Sequence, residues 1–507
     1  MTHLVRNDLS ENLVDCLLTV LNDEGINYCL WKSNIDLAQA TSGEMDLDFL
    51  VDRQSYQQVI SILSRLGLKY AVARWGVNSP GISHFYGFDP FNDRFAHVHL
   101  FSRILTGESF SKSHLLPFEQ MMLQNTHYVG RMRLASKPAE LVLFTVRTYI
   151  KYGSLLDIFY LARKTEKIKS ELAWLKEGGS DLSTSLYLLN KYCPVIDEKL
   201  FLECIDTLEG DASLLRRIRL ARKVRRRIAN YTKHTPTERI FSYVGLFITQ
   251  LQRKIGSGKK NKIFKAGGTV IAIVGPDATG KSTLVSETSR WLGETFLVRN
   301  VHAGKPPISW ITAPFNLLLH LARRFLPQFR TINRNNRYLS AEANTSREAS
   351  RLTDLLYAFR AVILAWDRRN VLLKAWRTAA KGDIVICDRY PSNIIGAMDS
   401  PRLMDIPRSK GWLSFVQKKL AKLEQRLYAQ ISPPDLVLRL QVSLETAIER
   451  NRLREKAGGE PDQFIKLRHR HSPQWHRTDT DRVFDVDTEQ PLSDTLRQVK
   501  ELVWQSL

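Results

Sequence analysis

The chain has 507 residues, 43% hydrophobic and 25% charged, which excludes wholesale disorder and predicts roughly two to four domains. The net charge of +22 is concentrated in residues 216–265, where 16 basic residues and one acid give +15 and leave only +7 for the rest. The five cysteines are far apart and lack C-x-x-C spacing, which disfavours a disulfide framework or a zinc site. Since we find no secretory signal and no apolar run of about 20 residues, we expect a cytoplasmic protein.

The first predicted domain, residues 1–130, carries a pair of carboxylates on a strand. Strands are predicted at Tyr28–Trp31, Asp46–Val51 and Phe95–Phe101. Asp46 and Asp48 are two residues apart on a strand, so both project from one face and can share divalent cations. The pair follows a turn containing Lys32 and Ser33, and this pattern resembles the nucleotidyltransferase superfamily. The resemblance implies a mixed α+β domain that uses Asp46 and Asp48 as metal ligands.

This domain departs from the superfamily pattern in two ways. Lys32 stands where a glycine usually lies, and His97 and His99 occupy the strand on which a third carboxylate is expected. His99 can ligate a metal, but a histidine on a strand more often only forms hydrogen bonds. Two interpretations therefore stay open: an active nucleotidyl transfer centre, or a degenerate domain that binds a nucleotide, a sugar or a partner.

The middle of the chain divides into a helical region, residues 131–232, and a basic junction, residues 233–265. Apolar residues recur at helical spacing from Leu141 to Ile150, and this region resembles the helical tail of such nucleotidyltransferase-like domains. The arginine-rich run Arg216–Arg227 and the apolar face of residues 240–251 are compatible with binding to nucleic acid or to an anionic membrane. We favour instead an interdomain helix packed on the following domain, with a solvated basic face.

A buried strand is predicted at Val270–Val274, and a phosphate-binding loop of the form G-x-x-x-x-G-K-[ST] follows it directly. The loop consists of Gly275, Pro276, Asp277, Ala278, Thr279, Gly280, Lys281, Ser282 and Thr283. Its glycines let backbone N–H groups surround phosphate oxygens, and the following helix adds its positive N-terminus. Lys281 would reach the β- and γ-phosphates, and the Ser282 hydroxyl would ligate Mg²⁺. The motif therefore predicts binding of ATP or GTP.

Three further motifs follow the phosphate loop. They are Trp366-Asp367-Arg368 on a predicted helix, Asp388-Arg389-Tyr390 at a strand end, and the strand and helix from Pro434 to Arg450. With the phosphate loop, and in this order, they resemble thymidylate-kinase-like proteins over residues 266–507. The resemblance implies a P-loop parallel sheet with flanking helices, and ATP and Mg²⁺ as cofactors.

The chemistry of these residues fits phosphoryl transfer. Asp388, at the end of a buried strand, can organise the Mg²⁺ shell or orient the acceptor. Arg368 and Arg389 can grip an acceptor phosphate, because a guanidinium matches two oxygens at once. The resemblance adds Asp277 and Tyr390 to the acceptor side.

Two lid arginines complete the predicted catalytic set. Arg450 and Arg454 are one helical turn apart and can close over the transferring phosphoryl group. The alternative interpretation is that they form a solvated helix face without a catalytic role. The order of the motifs favours the lid. Ala278 stands where some members of the family carry an arginine, so the chain resembles the subtype that has lid arginines instead.

The acceptor side departs from true thymidylate kinases. Residues 301–307 and 391–398 replace the elements that follow the second strand and the Asp-Arg-Tyr motif in that family. Since a site built for a base discriminates strongly through its polar contacts, we expect weak phosphorylation of dTMP and a preference for another phosphorylated acceptor.

The sequence as a whole predicts an α/β enzyme: a nucleotidyltransferase-like domain, a helical region, a basic junction, and a thymidylate-kinase-like phosphotransferase at residues 266–507. The acceptor would be dTMP, another nucleotide, or a sugar or glycan phosphate. The competing hypothesis is a nucleotide-regulated nucleic-acid-binding or defence protein that uses the P-loop domain as a switch. The expected partners are a small phosphorylated acceptor and an anionic surface at residues 216–265, and we allow for a homodimer.

Overall fold

The computed structural model divides the chain into two compact units, Met1–Lys262 and Ile263–Leu507. The residues it describes are 12–32, 34–35, 37, 39, 45–74, 80–107, 112–154, 157–177, 182–235, 238, 245, 262–307, 312–314, 349–395, 397, 399–403, 412–453, 462, 465–466 and 475–507. No helix within these ranges is long and apolar enough to cross a membrane.

A mixed sheet organises the N-terminal unit. Its strands are β1 (Tyr28–Leu30), β2 (Leu47–Val51), β3 (Lys69–Ala73), β4 (Ile82–Asp89), β5 (Arg94–Phe101), β6 (Ile104–Thr106), β7 (His114–Leu116), β8 (Thr126–Val129) and β9 (Met132–Ala135). Within this unit the main sheet has the order β3-β4-β5-β2-β1-β9-β8, and β6 pairs with β7 separately. Strand β2 pairs parallel with β5, whereas β4 pairs antiparallel with β5. The strands predicted near residues 28, 47 and 95 are confirmed.

Helices cover both faces of this sheet. They are α1 (Leu13–Asp23), α2 (Tyr56–Arg65), α3 (Glu119–Gln124), α4 (Lys137–Tyr152), α5 (Ile158–Arg163), α6 (Thr165–Lys176), α7 (Leu182–Tyr192), α8 (Glu198–Glu209), α9 (Leu214–Arg227) and a 3₁₀ turn (Ala229–Tyr231). Alternate residues of each strand enter different cores: Tyr28 and Phe49 pack with α1 and α2, whereas Trp31 and Leu50 pack with the helices that follow β9. The helical region and the strands before it therefore share one hydrophobic core.

The arginine-rich run Arg216–Arg227 lies in α9 and packs inside the N-terminal unit. Leu220 and Val224 are buried in the core that contains α4. Arg217 is also buried and donates to the Tyr152 hydroxyl at 3.2 Å, while Arg225 donates to a backbone carbonyl. This part of the basic segment is thus an amphipathic helix with some of its cations used internally. Apart from residue 245, the apolar segment 240–251 lies outside the described residues.

An all-parallel sheet organises the C-terminal unit, as is typical of buried α/β sheets. Strand β10 (Lys262–Phe264) spans the boundary between the units, and the sheet of five strands has the order β12-β13-β11-β14-β15. Its elements are β11 (Val270–Val274), α10 (Lys281–Gly293), β12 (Val298–His302), α11 (Ala349–Ala379), β13 (Ile384–Asp388), α12 (Trp412–Ala429), β14 (Leu436–Gln441), α13 (Leu444–Arg452), β15 (Val483–Asp487) and α14 (Leu492–Ser506). Strand β11 has the predicted bounds and is buried throughout.

The register of this sheet brings three strand ends together. Ile273 on β11 and His302 on β12 are both opposite Asp388 on β13. Because parallel strands end at the same edge, the loop after β11 and the Asp388 carboxylate lie side by side.

Candidate functional site

The loop after β11 favours glycine at two backbone positions. Gly280 lies in the left-handed region at a φ of +84° and precedes the first residue of α10. A Cβ at Gly275 would lie 2.7 Å from the carbonyl oxygen of Leu440, so only glycine fits there. Ala278 also has a positive φ of 66° although it is not glycine, which is a sparsely populated conformation often found at functional sites.

Lys281 is buried within this loop. Its side chain is 6% exposed, and its ammonium donates to the carbonyl of Pro276 and lies 3.5 Å from the Thr279 hydroxyl. Burial, together with the nearby Arg389, lowers the pKa of Lys281 to about 8. A cation held in a buried loop by neutral oxygens is suited to receive an anionic ligand.

Asp388 lies across the cleft from the loop. Its Oδ1 atom is buried and has no hydrogen-bond partner among the described residues, and its Oδ2 atom is 3.8 Å from Nδ1 of His302. Ser282, on the first turn of α10, is exposed. An unsatisfied carboxylate oxygen and an exposed hydroxyl are hard oxygen donors of the kind Mg²⁺ prefers, so the residues fit the predicted cation.

These groups enclose a cleft of about 290 Å³. Among the described residues its lining comprises Asp277, Ala278, Gly280, Lys281, Ser282, Thr283, His302, Gly304, Lys305, Asp388 and Arg389. Most members of the predicted phosphate loop, with Asp388 and Arg389, are therefore assembled in one place.

Arg389 is held at the edge of the cleft by two carboxylates. Its guanidinium donates to Asp277 and to Asp399, each at 3.2 Å, from a backbone with a φ of 73°. Burial alone would lower the pKa of this guanidinium, but Asp399 and Asp277 outweigh burial and raise it. Arg389 is thus a fixed cation that faces the phosphate loop.

Arg368 and Tyr390 differ from their predicted position at an acceptor phosphate. Arg368 is 0% exposed, and its Nε and Nη2 atoms donate to the Ala303 carbonyl at 2.7 Å and to Asp399 at 2.9 Å. Tyr390 is 1% exposed and donates to the Ser432 carbonyl at 2.7 Å. Arg368 donates to the same Asp399 carboxylate as Arg389. In this structure Arg368 therefore helps to fix the position of the Arg389 guanidinium.

The predicted lid is represented by Arg450 alone, since Arg454 lies outside the described residues. Arg450, on α13, donates to the carbonyl of Thr488 at 2.6 Å. It is absent from the described lining of the cleft. The structure therefore does not bring Arg450 to the phosphate loop.

Sequence reasoning missed three polar residues of this region. His302 and Lys305 line the cleft, and Asp399 joins the buried Arg368 to the half-buried Arg389. The positions of His302 and Lys305, directly after β12, offered a signal, because residues after neighbouring parallel strands meet at one edge. Asp399 is in an irregular segment and offered none.

The carboxylate pair of the N-terminal unit is surrounded by histidines. The Oδ1 atom of Asp46 accepts a hydrogen bond from Nδ1 of His97 at 2.7 Å. The Oδ1 atom of Asp48 accepts one from Nδ1 of His99 at 3.0 Å. The Lys32 ammonium is 2.9 Å from the same Asp48 carboxylate. Burial alone would raise the pKa of Asp48, but Lys32 and His99 outweigh it and hold that pKa well below its ordinary value.

Asp46, directly before β2, and Asp48, on β2, thus lie on one side as predicted, and each already has a partner in the protein. A divalent cation bound directly by Asp48 would have to compete with the Lys32 ammonium. Ser33, which the sequence places in the turn before this pair, lies outside the described residues.

Comparisons with known proteins concern about half of the chain. No family model matches it. It is 27% identical over 247 residues to the uncharacterized ATP-binding protein YghR of Escherichia coli strain K12, which covers 46% of this chain and 86% of that protein. It is 26% identical over 197 residues to the uncharacterized ATP-binding protein YghS of the same strain, with 36% and 72% covered.

Two solved structures are similar to the chain at low sequence identity. Thymidylate kinase from Candida albicans has 19% identity and a TM-score of 0.23, and covers 47% of this chain and 91% of that chain. Deoxyadenosine kinase from M. mycoides, with bound dATP, has 16% identity and a TM-score of 0.25, and covers 46% and 98%.

Proposed function

We propose that the C-terminal unit is an ATP-dependent phosphotransferase that moves the γ-phosphoryl group of ATP to a small phosphorylated acceptor. One observation carries the proposal: the phosphate loop, the unsatisfied Asp388 carboxylate and the fixed Arg389 guanidinium converge on one cleft. The words "ATP-binding" in the names of YghR and YghS support the choice of nucleotide.

The donor half of the site follows from the loop. Backbone N–H groups of residues 277–283, at the N-terminus of α10, would hold the β- and γ-phosphates. Lys281 would exchange its contact with the Pro276 carbonyl for a phosphate oxygen. Ser282 and Asp388 would hold Mg²⁺, which neutralises charge on the phosphates when bound.

The acceptor half centres on Arg389. Because its guanidinium is held by Asp277 and Asp399, it would meet an acceptor phosphate without first being ordered. Arg368 would act as a positioning residue, since it fixes the shared Asp399. Arg450 would have to leave Thr488 to act as a lid over the transferring group.

The acceptor is proposed to carry a phosphate but not to be dTMP by preference. The cleft offers cations for a phosphate, whereas the elements expected to frame a thymine base are replaced at residues 301–307 and 391–398. We therefore expect kcat/KM for dTMP below about 10⁴ M⁻¹s⁻¹, and a higher value for another nucleotide or a sugar phosphate.

The N-terminal unit remains proposed as nucleotidyltransferase-like, and a cytoplasmic location, a homodimer and an anionic partner for residues 216–265 remain predictions. The exposed cations of α9 include Arg219, Arg222 and Arg226. They are available for phosphates of nucleic acid or lipid.

The proposal is tested with the full-length protein by measuring ADP release across nucleoside monophosphates and sugar phosphates. Acceptor-dependent ADP release is expected, and Asp388→Asn should abolish it. Asp481→Asn is the matched control, because Asp481 is an exposed carboxylate of the same unit. Full turnover by Asp388→Asn would overturn the site. Salt-dependent nucleic-acid binding without acceptor-dependent turnover would favour the nucleotide-switch hypothesis instead.

A further inference from the structure

Three histidines of the N-terminal unit converge on one face of its sheet. His97 and His99 are two residues apart on β5 and therefore project from the same side. His84 comes from the antiparallel neighbour β4, where it is directly opposite His99. The ring centroids of His97 and His99 are 4.1 Å apart, and those of His84 and His99 are 4.5 Å apart.

The imidazole nitrogens have the spacing of metal ligands. Each histidine offers one nitrogen such that the three atoms lie within 4.8 Å of one another. Nδ1 of His84 and Nε2 of His97 are 3.2 Å apart. Two nitrogens bound at about 2.0–2.1 Å to a tetrahedral ion are about 3.3 Å apart, so this pair already has the required separation.

Two carboxylates orient these rings in the way that metal-bound histidines are usually oriented. Asp46 holds Nδ1 of His97 and Asp48 holds Nδ1 of His99, at 2.7 and 3.0 Å. The Nε2 atom of each ring lies on the far side from this bond: Nε2 of His97 is 3.2 Å from Nδ1 of His84, and Nε2 of His99 is 3.7 Å from Oδ2 of Asp46. A carboxylate on the far nitrogen fixes the ring and raises its basicity, and such partners contribute to metal affinity.

The cluster can be reached from solvent. The side chains of His97 and His99 are 16% and 17% exposed, which leaves an ion a path from solvent.

We propose that the N-terminal unit binds one divalent transition-metal ion of the Zn²⁺ class through His84, His97 and His99. Asp46 and Asp48 are positioning residues in this arrangement. A set of three nitrogen ligands selects a borderline ion over Mg²⁺, which prefers oxygen. Lys32 strengthens that preference, because its ammonium neutralises the Asp48 carboxylate that a hard cation would need.

The test uses the full-length protein after removal of metals with a chelator. Titration with Co²⁺ should give one equivalent bound and the intense visible absorption of tetrahedral cobalt, and Zn²⁺ should displace it. His84→Ala and His97→Ala should each weaken binding at least a hundredfold. Asp46→Asn, which removes only the positioning carboxylate, should weaken it about 10- to 100-fold.

Two control variants test whether a loss of Co²⁺ affinity is specific to the three histidines. His127→Ala removes an exposed histidine elsewhere in the same unit and should leave Co²⁺ affinity unchanged. Asp388→Asn should also leave it unchanged, so failure of the phosphotransferase site does not affect the result. Folding of each variant is checked by thermal melting, since only a folded variant that lacks metal stabilisation supports the site. Unaltered affinity in folded His84→Ala and His97→Ala, or absorption typical of octahedral cobalt, would overturn the proposal.

Discussion

Both units carry carboxylates on or beside a strand, but the surrounding protein treats them differently. In the N-terminal unit, Asp46 and Asp48 are each bonded to an imidazole, and Asp48 is also paired with Lys32. In the C-terminal unit, the Oδ1 atom of Asp388 is buried without a hydrogen-bond partner among the described residues, and the Lys281 ammonium donates to a neutral carbonyl. The first arrangement uses its charges to position side chains, whereas the second leaves charges for a ligand.

The largest effect is expected where a charge is left for the ligand. Lys281→Ala should lower kcat/KM for ADP formation about a thousandfold, because it removes a preorganised cation from the transferring phosphate. Steady-state kinetics with ATP and the best acceptor measure this. Lys381→Ala, which alters an exposed lysine before β13, is the control. If kcat/KM of Lys281→Ala stayed within tenfold of the wild-type value, the idea that only the C-terminal unit leaves charges for a ligand would be wrong.

The next effect concerns Asp399, which pairs with both Arg368 and Arg389. Asp399→Asn should destabilise the folded protein by about 3 kcal/mol, because it leaves the fully buried Arg368 guanidinium without a carboxylate. The denaturant midpoint of the transition that includes the C-terminal unit reports the loss. An unchanged midpoint would show that the pairs between Asp399 and the arginines contribute nothing to stability.

A smaller loss of stability is expected at Asp48, where the partners are partly exposed. Asp48→Asn should destabilise the protein by about 1–2 kcal/mol at pH 7, since Lys32 and His99 lose their carboxylate. The lowered pKa of Asp48 means that its contribution is present above the unfolded value of about 3.9 and is lost as the pH falls below it. Urea unfolding at pH 7 and pH 3 measures the free energy of unfolding of both proteins. The difference in this free energy between wild type and Asp48→Asn should be smaller at pH 3. An equal difference at both pH values would contradict this prediction.

The smallest effect is a proton linked to ATP binding. In the protein without ATP, the pKa of Lys281 is lowered to about 8, and a bound phosphate would raise it. ATP binding above pH 8 should therefore take up a proton. The affinity should then fall by up to about tenfold per pH unit as the pH rises beyond 8. Calorimetry at pH 9 in two buffers of different ionisation enthalpy measures the uptake. Lys281→Arg is the matched control, since its guanidinium stays charged and should show no such proton.

Much of the C-terminal site was predictable from the sequence because its signals are local. The strand at Val270–Val274, the loop at 275–283 and Asp388 at the end of β13 are each encoded in a few consecutive residues. In a parallel sheet, neighbouring strands end at one edge, so the order of the motifs along the chain is enough to place them together. The role of Arg368 was harder to predict, because only the packed structure shows that its guanidinium donates to Asp399.

The sequence by itself determined that a phosphate loop follows a buried strand and that Asp46 and Asp48 share a face, since both depend on local geometry with a period that can be counted. Only the tertiary structure decided what those carboxylates contact. His84 joins His97 and His99 through the register of an antiparallel pair, and a shift of one residue would have turned it to the other face. That register is set by the packing of two whole cores against the sheet, which no short stretch of sequence contains.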